Sequence, residues 1–165
     1  MECPHCHRAL DSWLKALATG CVIVKENVLT EVRDALTNRL LRAIATENLV
    51  VDAGLNQLRD LLDATNTSIT YFAVGTSSTA PANGQTALVA EVYRNTVTQR
   101  VKASAAMTQR CFVASTAANG NTLREAGLFN ASAAGTMFSR VTHDDIIKTI
   151  SITVTHAWTH TFTRA

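Results

Sequence analysis

The sequence has 165 residues, which suits one domain with a short appendage. Apolar residues make up 47% and aromatics only 5%, so any core is built mainly from aliphatic side chains. A net charge of +2 is too weak to imply a nucleic-acid partner, and none is expected; no apolar run approaches the roughly 20 residues needed to span a bilayer. The chain also holds 23 Thr and 25 Ala, and β-branched Thr favours pleated strands with one wet face.

Residues 1–27 read as an N-terminal extension, an attachment arm outside the main domain. They hold three of the four cysteines and a stretch with helical spacing, Leu10, Trp13, Leu14 and Leu17. Cys3-Pro4-His5-Cys6-His7 resembles half of a zinc site, and Cys3, Cys6, His7 (or His5) and Cys21 could supply four ligands. A second paired motif is missing, so free thiols, or thiols that oxidise outside a reducing compartment, are the competing reading. No other cofactor is expected. The first residues carry no apolar signal region, so synthesis in the cytoplasm is expected.

Residues 28–165 are expected to form a mainly β domain, an antiparallel β-sandwich with one short helix. The opening segment is ambiguous. Val28, Val32, Leu36, Leu40 and Ile44 recur every four residues, as in an amphipathic helix. The turn-like Asp34-Ala35-Leu36-Thr37-Asn38 instead divides two strand-length runs, residues 28–33 and 39–46, as in a hairpin. A strand is read at 48–51, and Asp52 as the N-cap of a short helix through Leu55, Leu58, Leu61 and Leu62.

Further strands are read at 69–74, 87–96, 101–115, 122–129 and 136–142. Pro81-Ala82-Asn83-Gly84, Asn119-Gly120-Asn121 and Ala133-Ala134-Gly135 supply turn chemistry between them. At the C-terminus Ile150, Ile152, Val154, His156, Trp158, His160 and Phe162 share one parity, and threonines dominate the other. The alternation runs back to Ile146, broken by Lys148, and far exceeds a typical strand of about 5–6 residues. Such a strand is expected to outrun or bend away from its sandwich. Trp158, His160 and Phe162 would then project beyond the core as a contact surface between chains.

Three stretches together carry a resemblance. The first is Ile69-Thr70-Tyr71-Phe72-Ala73-Val74-Gly75-Thr76. The second is Gly84-Gln85-Thr86-Ala87-Leu88-Val89-Ala90-Glu91-Val92-Tyr93-Arg94. The third is Leu123-Arg124-Glu125-Ala126-Gly127-Leu128-Phe129, followed by Ala134-Gly135-Thr136-Met137-Phe138-Ser139-Arg140. In order and spacing these resemble the N-terminal, virion-anchoring domain of bacteriophage tail-collar fibre proteins, over about residues 46–165. The resemblance implies a β-sandwich that joins a fibre to the virion without catalysis, with other virion proteins as partners and trimers as the usual assembly. The family domain leads into a long shaft. Here the sequence stops at Ala165, so a stand-alone adaptor of tail, collar or baseplate is expected, located in the virion. A receptor- or carbohydrate-binding tail-tip module is the alternative, which an exposed aromatic groove would favour.

Glu91, Arg94, Arg124 and Glu125 interrupt otherwise apolar strands. They are expected to form structural ion pairs between the two strands that carry them, fixing register. Cys111, between Arg110 and Phe112, reads as a small core residue. Ser139 and His143-Asp144-Asp145 have the residue types of a hydrolase triad, but such near neighbours seldom converge, and a turn before Ile146 is the expected role. His156 and His160 lie about 13–14 Å apart along a strand, too far to share a metal within one chain.

Overall fold

The computed structural model describes residues 22–62 and 68–164. Val24, Glu26, Val28, Thr30 and Val32 share one parity, while Lys25, Asn27 and Leu29 take the exposed one. This is the signature of a strand with one covered face, and it forms β1 (Val22–Asp34). β1 turns into β2 (Leu40–Glu47), so the ambiguous segment is a hairpin. The turn is made locally: Asp34 Oδ1 accepts the backbone N–H groups of Leu36 and Thr37 at 3.1 and 2.8 Å. The four-residue apolar spacing is compatible with both structures, because every fourth residue also keeps strand parity. Leu36, which a helix would bury, sits on the turn at 96% exposure.

β3 (Leu49–Val50) leads into α1 (Asp52–Leu62). Asp52 is not the cap but the first helical residue. Val51 O accepts the first bond, from Leu55 N at 3.1 Å, and the Asp52 carboxylate suits the positive end of the helix dipole. There follow β4 (Tyr71–Gly75), β5 (Glu91–Thr96), β6 (Gln99–Ala103), β7 (Ala106–Val113), β8 (Thr122–Phe129), β9 (Met137–Ile147) and β10 (Ile152–Arg164). The single strand expected over 101–115 is a hairpin, β6–β7, broken where Ser104 adopts a φ of 51°.

The architecture is mainly β, with two antiparallel five-stranded sheets. Sheet A has the order β2-β1-β10-β7-β6 and sheet B the order β3-β9-β8-β4-β5. Val28, Val32, Cys111, Val113, Val154 and Trp158 of sheet A meet Phe72, Val74, Leu123, Leu128, Phe138 and Val141 of sheet B in the main core. Sheet B is covered on its other face as well, where Val51, Ala73, Leu88, Phe129 and Met137 pack together beneath α1 and the segment after β4. Burial on both faces explains why Phe72, Ala73, Val74 and Gly75 are all buried in succession. The outer face of sheet A carries Leu29, Phe112, Thr153, Thr155 and Thr159 and is at least partly open to solvent.

Two expectations change here. The domain boundary does not fall after residue 27, because Val22–Asp34 is one strand, paired with β10 along its whole length from Val22↔Arg164 to Asp34↔Ile152. The C-terminal strand does not project beyond the core either. Its 13 residues are matched by the 13 of β1 on one side, and β7 flanks it on the other. Trp158 is 0% exposed and His160 2%, so both belong to this chain's own core, and only Phe162, at 37%, keeps a surface position. Lys148, the break in the alternation, lies in the turn between β9 and β10. Its ammonium donates to Ser115 O, Asn119 Oδ1 and Thr149 O at 3.1, 2.9 and 2.9 Å, tying that turn to the β7–β8 loop.

α1 lies so close to β9 that a Cβ on Gly54 would stand 2.0 Å from the Phe138 carbonyl oxygen. Replacing glycine by alanine inside a helix ordinarily stabilises by about 0.5–1 kcal/mol. Gly54→Ala is therefore expected to have the opposite sign and lower the thermal midpoint. A raised midpoint in a melting experiment would show that the helix does not rest on β9 in this way.

Candidate functional site

The four charged residues singled out in the sequence all form ion pairs, but not with one another across β5 and β8. The reason is topological: β4 lies between those two strands. Arg94 instead folds back on Glu91 of its own strand, with bonds of 2.8 and 2.6 Å. It also donates to the carbonyls of Ala131 and Ala134 at 3.0 and 2.9 Å, and its guanidinium lies 3.8 Å above the Phe129 ring. Arg94 thus clamps the β8–β9 loop. Arg124 makes a two-pronged contact with Asp145 at 2.7 and 2.8 Å on the surface.

Glu125 has a partner that the sequence reading missed, Arg140 of β9. Both side chains are 0% exposed and the Arg140 Nε–Glu125 Oε2 distance is 2.8 Å. Gly127 pairs with Arg140 in the β8–β9 register, which makes Glu125 and Arg140 diagonal neighbours on one face. Neither charge has an unused side. Glu125 accepts the backbone N–H groups of Val89 and Ala90 at 3.2 and 2.7 Å. Arg140 donates to Gln85 Oε1 at 3.0 Å and to Thr79 O at 2.8 Å. The pair therefore pins the irregular segment between β4 and β5 onto sheet B at four points. Gly75 makes room for it: a Cβ there would lie 2.5 Å from Glu125 Oε1 and equally close to Ala90 O. A usable signal was present, since Arg140 stands alone among the apolar residues Met137, Phe138 and Val141.

A second polar centre joins the two sheets. β8 and β9 pair at Leu123↔Ile146 and again at Glu125↔Thr142, so Arg124 alone faces His143, Asp144 and Asp145. The expected turn before Ile146 is thus a bulge within a continuing strand, and bulges re-aim side chains. Arg42 of β2 binds Asp144 at 2.6 Å and the Asp145 carbonyl at 3.0 Å, holding the bulge from the other sheet. His143 contacts the Asp144 carbonyl through Nδ1 at 2.8 Å, and its ring lies 5.3 Å from that of His156 of β10, tilted by 32°. His156 Nδ1 bonds Thr30 Oγ1 at 2.9 Å, and its ring is 5.7 Å from Trp158. The Nε2 atoms of both histidines are buried without a protein partner. Burial holds both imidazoles below their ordinary pKa of 6.5, His156 well below it, and for His156 the neighbouring His143 adds to the effect. A cleft of about 450 Å³ lined by Ile44, Ala45, Thr46, Ser78, Thr142, His143 and Asp144 opens onto this centre.

A third centre lies further along β10. His160 Nδ1 contacts Glu26 Oε1, and its Nε2 faces Gln109 Oε1 at 3.0 Å. The Gln109 amide is oriented by its donation to Ile69 O at 3.3 Å, and Asn48 donates to the other Glu26 oxygen at 2.7 Å. Both ring nitrogens thus face side-chain oxygens, which fix the orientation of the ring. Glu26 borders a cleft of about 540 Å³ with Val24, Lys25, Asn27, Glu47, Asn48 and Thr161. Its inward parity on β1 was the available signal.

The residue types of a hydrolase do not assemble. Ser139 and His143 both lie on β9, and Ser139 Oγ and His143 Nε2 are each without a protein partner, so they are not bonded to one another. Nucleophile and base must lie within about 2.6–3.2 Å to cooperate. Cys111 is fully buried and burial raises its thiol pKa, which keeps it protonated and inert. Cys3, Cys6, His7 and Cys21 lie outside the described residues, so the zinc expectation concerns a segment on which the geometry does not bear. Among the described residues no group of three or more metal-binding side chains is present. Compared with protein-family models, curated proteins and solved structures, the chain has no match in any of the three.

Removing one partner of a buried pair leaves the other charge uncompensated, at about 3–5 kcal/mol. Glu125→Ala and Arg140→Ala should each lower stability by that order. Glu31→Ala, which loses only a partly exposed contact with Arg33, should cost about 0–1 kcal/mol. Chemical denaturation of the three variants tests this, and similar small losses in all three would contradict the structural role.

Proposed function

We propose that this chain is a structural protein of a bacteriophage tail, collar or baseplate, acting as an assembly adaptor or fibre-attachment module. The observation that supports the reading is where the three resembling stretches fall. The first supplies Gly75, the second supplies Gln85, Val89 and Ala90, and the third supplies Glu125 and Arg140. Residues scattered over the stretches that resemble tail-collar fibre domains thus converge on one buried ion pair and the glycine that admits it. A motif set that builds a scaffold fits a protein whose work is to hold position between others. On this reading its partners are other virion proteins and copies of itself, in trimers by the habit of that family. The partly open outer face of sheet A and its edge strands β2 and β6 are the surfaces offered for contact. The alternative tail-tip reading asks for an exposed aromatic groove, and Trp158 is enclosed.

The test is quantitative mass spectrometry of purified particles from the phage that encodes the chain, with light scattering of the isolated protein. The protein should copurify with intact particles at a fixed ratio to the other tail proteins, and particles made without it should lack fibres or tails. Abundance in the infected lysate with absence from purified particles would overturn the proposal.

A further inference from the structure

Four features converge on His143 and His156, and none is needed for the scaffold role of the Glu125–Arg140 pair. The β9 bulge gives two extra residues to sheet B and brings His143 to the second imidazole. The partner ring comes from the opposite sheet, on β10. Both Nε2 atoms are buried and unpartnered. A cleft of about 450 Å³ reaches His143 from solvent. We propose that His143 and His156 form a proton-sensitive clasp between the two sheets, closed when both rings are neutral and released by acidification.

The neutral state is the one in which two rings can lie in contact between sheets. A proton added to either Nε2 places a charge in a buried site that offers it no protein acceptor, and a second proton adds repulsion between the rings. Charged groups lie near the pair on three elements. On β9 they are Asp144 and Asp145; β2 contributes Arg42, bound to Asp144, and β8 contributes Arg124, bound to Asp145. β1 offers the neutral Thr30, β10 the neutral Trp158, and β7 the ladder partner of His156, Cys111, whose buried thiol stays protonated. Both carboxylates are engaged by arginines, and the support that they and the Asp144 carbonyl lend to a charged His143 is outweighed by its burial, while His156 has no such support.

The sign follows from the lowered folded-state values. Between those values and the ordinary 6.5, the unfolded chain binds more protons than the folded one, so stability rises with pH through that window. The clasp's contribution to stability is complete above about pH 6.5 and is lost progressively as pH falls toward the lowered folded-state values. A buried, contact-dependent imidazole pair of this kind lets the sheets respond to mild acid.

Trp158 provides the readout, because it touches His156 and the chain has only one other tryptophan, Trp13. In full-length Trp13→Phe protein, fluorescence and the thermal midpoint are followed from about pH 8 to about pH 5. The emission should change and the midpoint fall together below the ordinary imidazole range. In His143→Gln and His156→Gln variants on that background most of both pH responses should be lost. Equal pH responses in parent and variants would overturn the proposal. Should either variant fail to fold, NMR titration of the histidine rings in the parent decides the matter. Two resonances titrating below the ordinary value support the clasp, and titration of all five histidines at ordinary values contradicts it.

Discussion

The buried pair of Glu125 and Arg140 is the constraint on which sheet B depends. Replacing such a pair by apolar residues is often neutral in other proteins. Here that substitution would also strip partners from the amides of Val89 and Ala90 and from the carbonyl of Thr79. The pair therefore acts less as an attraction between two charges than as the hydrogen-bonding substitute for a missing strand. It satisfies backbone groups in a segment with no ladder of its own. Gly75 and the diagonal register of β8 and β9 are the local conditions that let it exist.

This arrangement gives the two sheets different characters. Sheet B is covered on both sides over β4 and β8 and carries little alternation there, while in sheet A β1 alternates and the threonine face of β10 is half-buried. The inter-sheet side of A holds the buried polar centres at Thr30–His156 and Glu26–His160, facing residues of β9. A sheet locked to its covering loop thus packs against one whose inner side carries buried polar centres.

Much of the fold was legible in the sequence, for physical reasons that can be named. The β10 alternation, the helix at 52–62 and the turn at 34–38 each follow from local periodicity or turn chemistry. What stayed hidden depended on pairing between distant segments. The length of β10 suggested an uncovered end because nothing local reveals that β1 is equally long. Glu91, Arg94, Arg124 and Glu125 were recognisable as ion-pairing residues, yet their partners follow from strand order, which places β4 between them. The bulge at 143–145 was illegible because its turn-like composition looks the same whether the strand ends or continues.

The central claim, that Glu125 and Arg140 lock the segment before β5 onto sheet B, is tested most directly by native-state hydrogen exchange at Val89 and Ala90. Both residues lie outside any strand, and Val89 has an exposed side chain, so an unlocked segment would exchange as a surface loop does. The account predicts that the Ala90 amide, bonded to Glu125 at 2.7 Å, exchanges as slowly as the core amides of β8. Loop-like exchange of the Ala90 amide, with β8 fully protected, would contradict it.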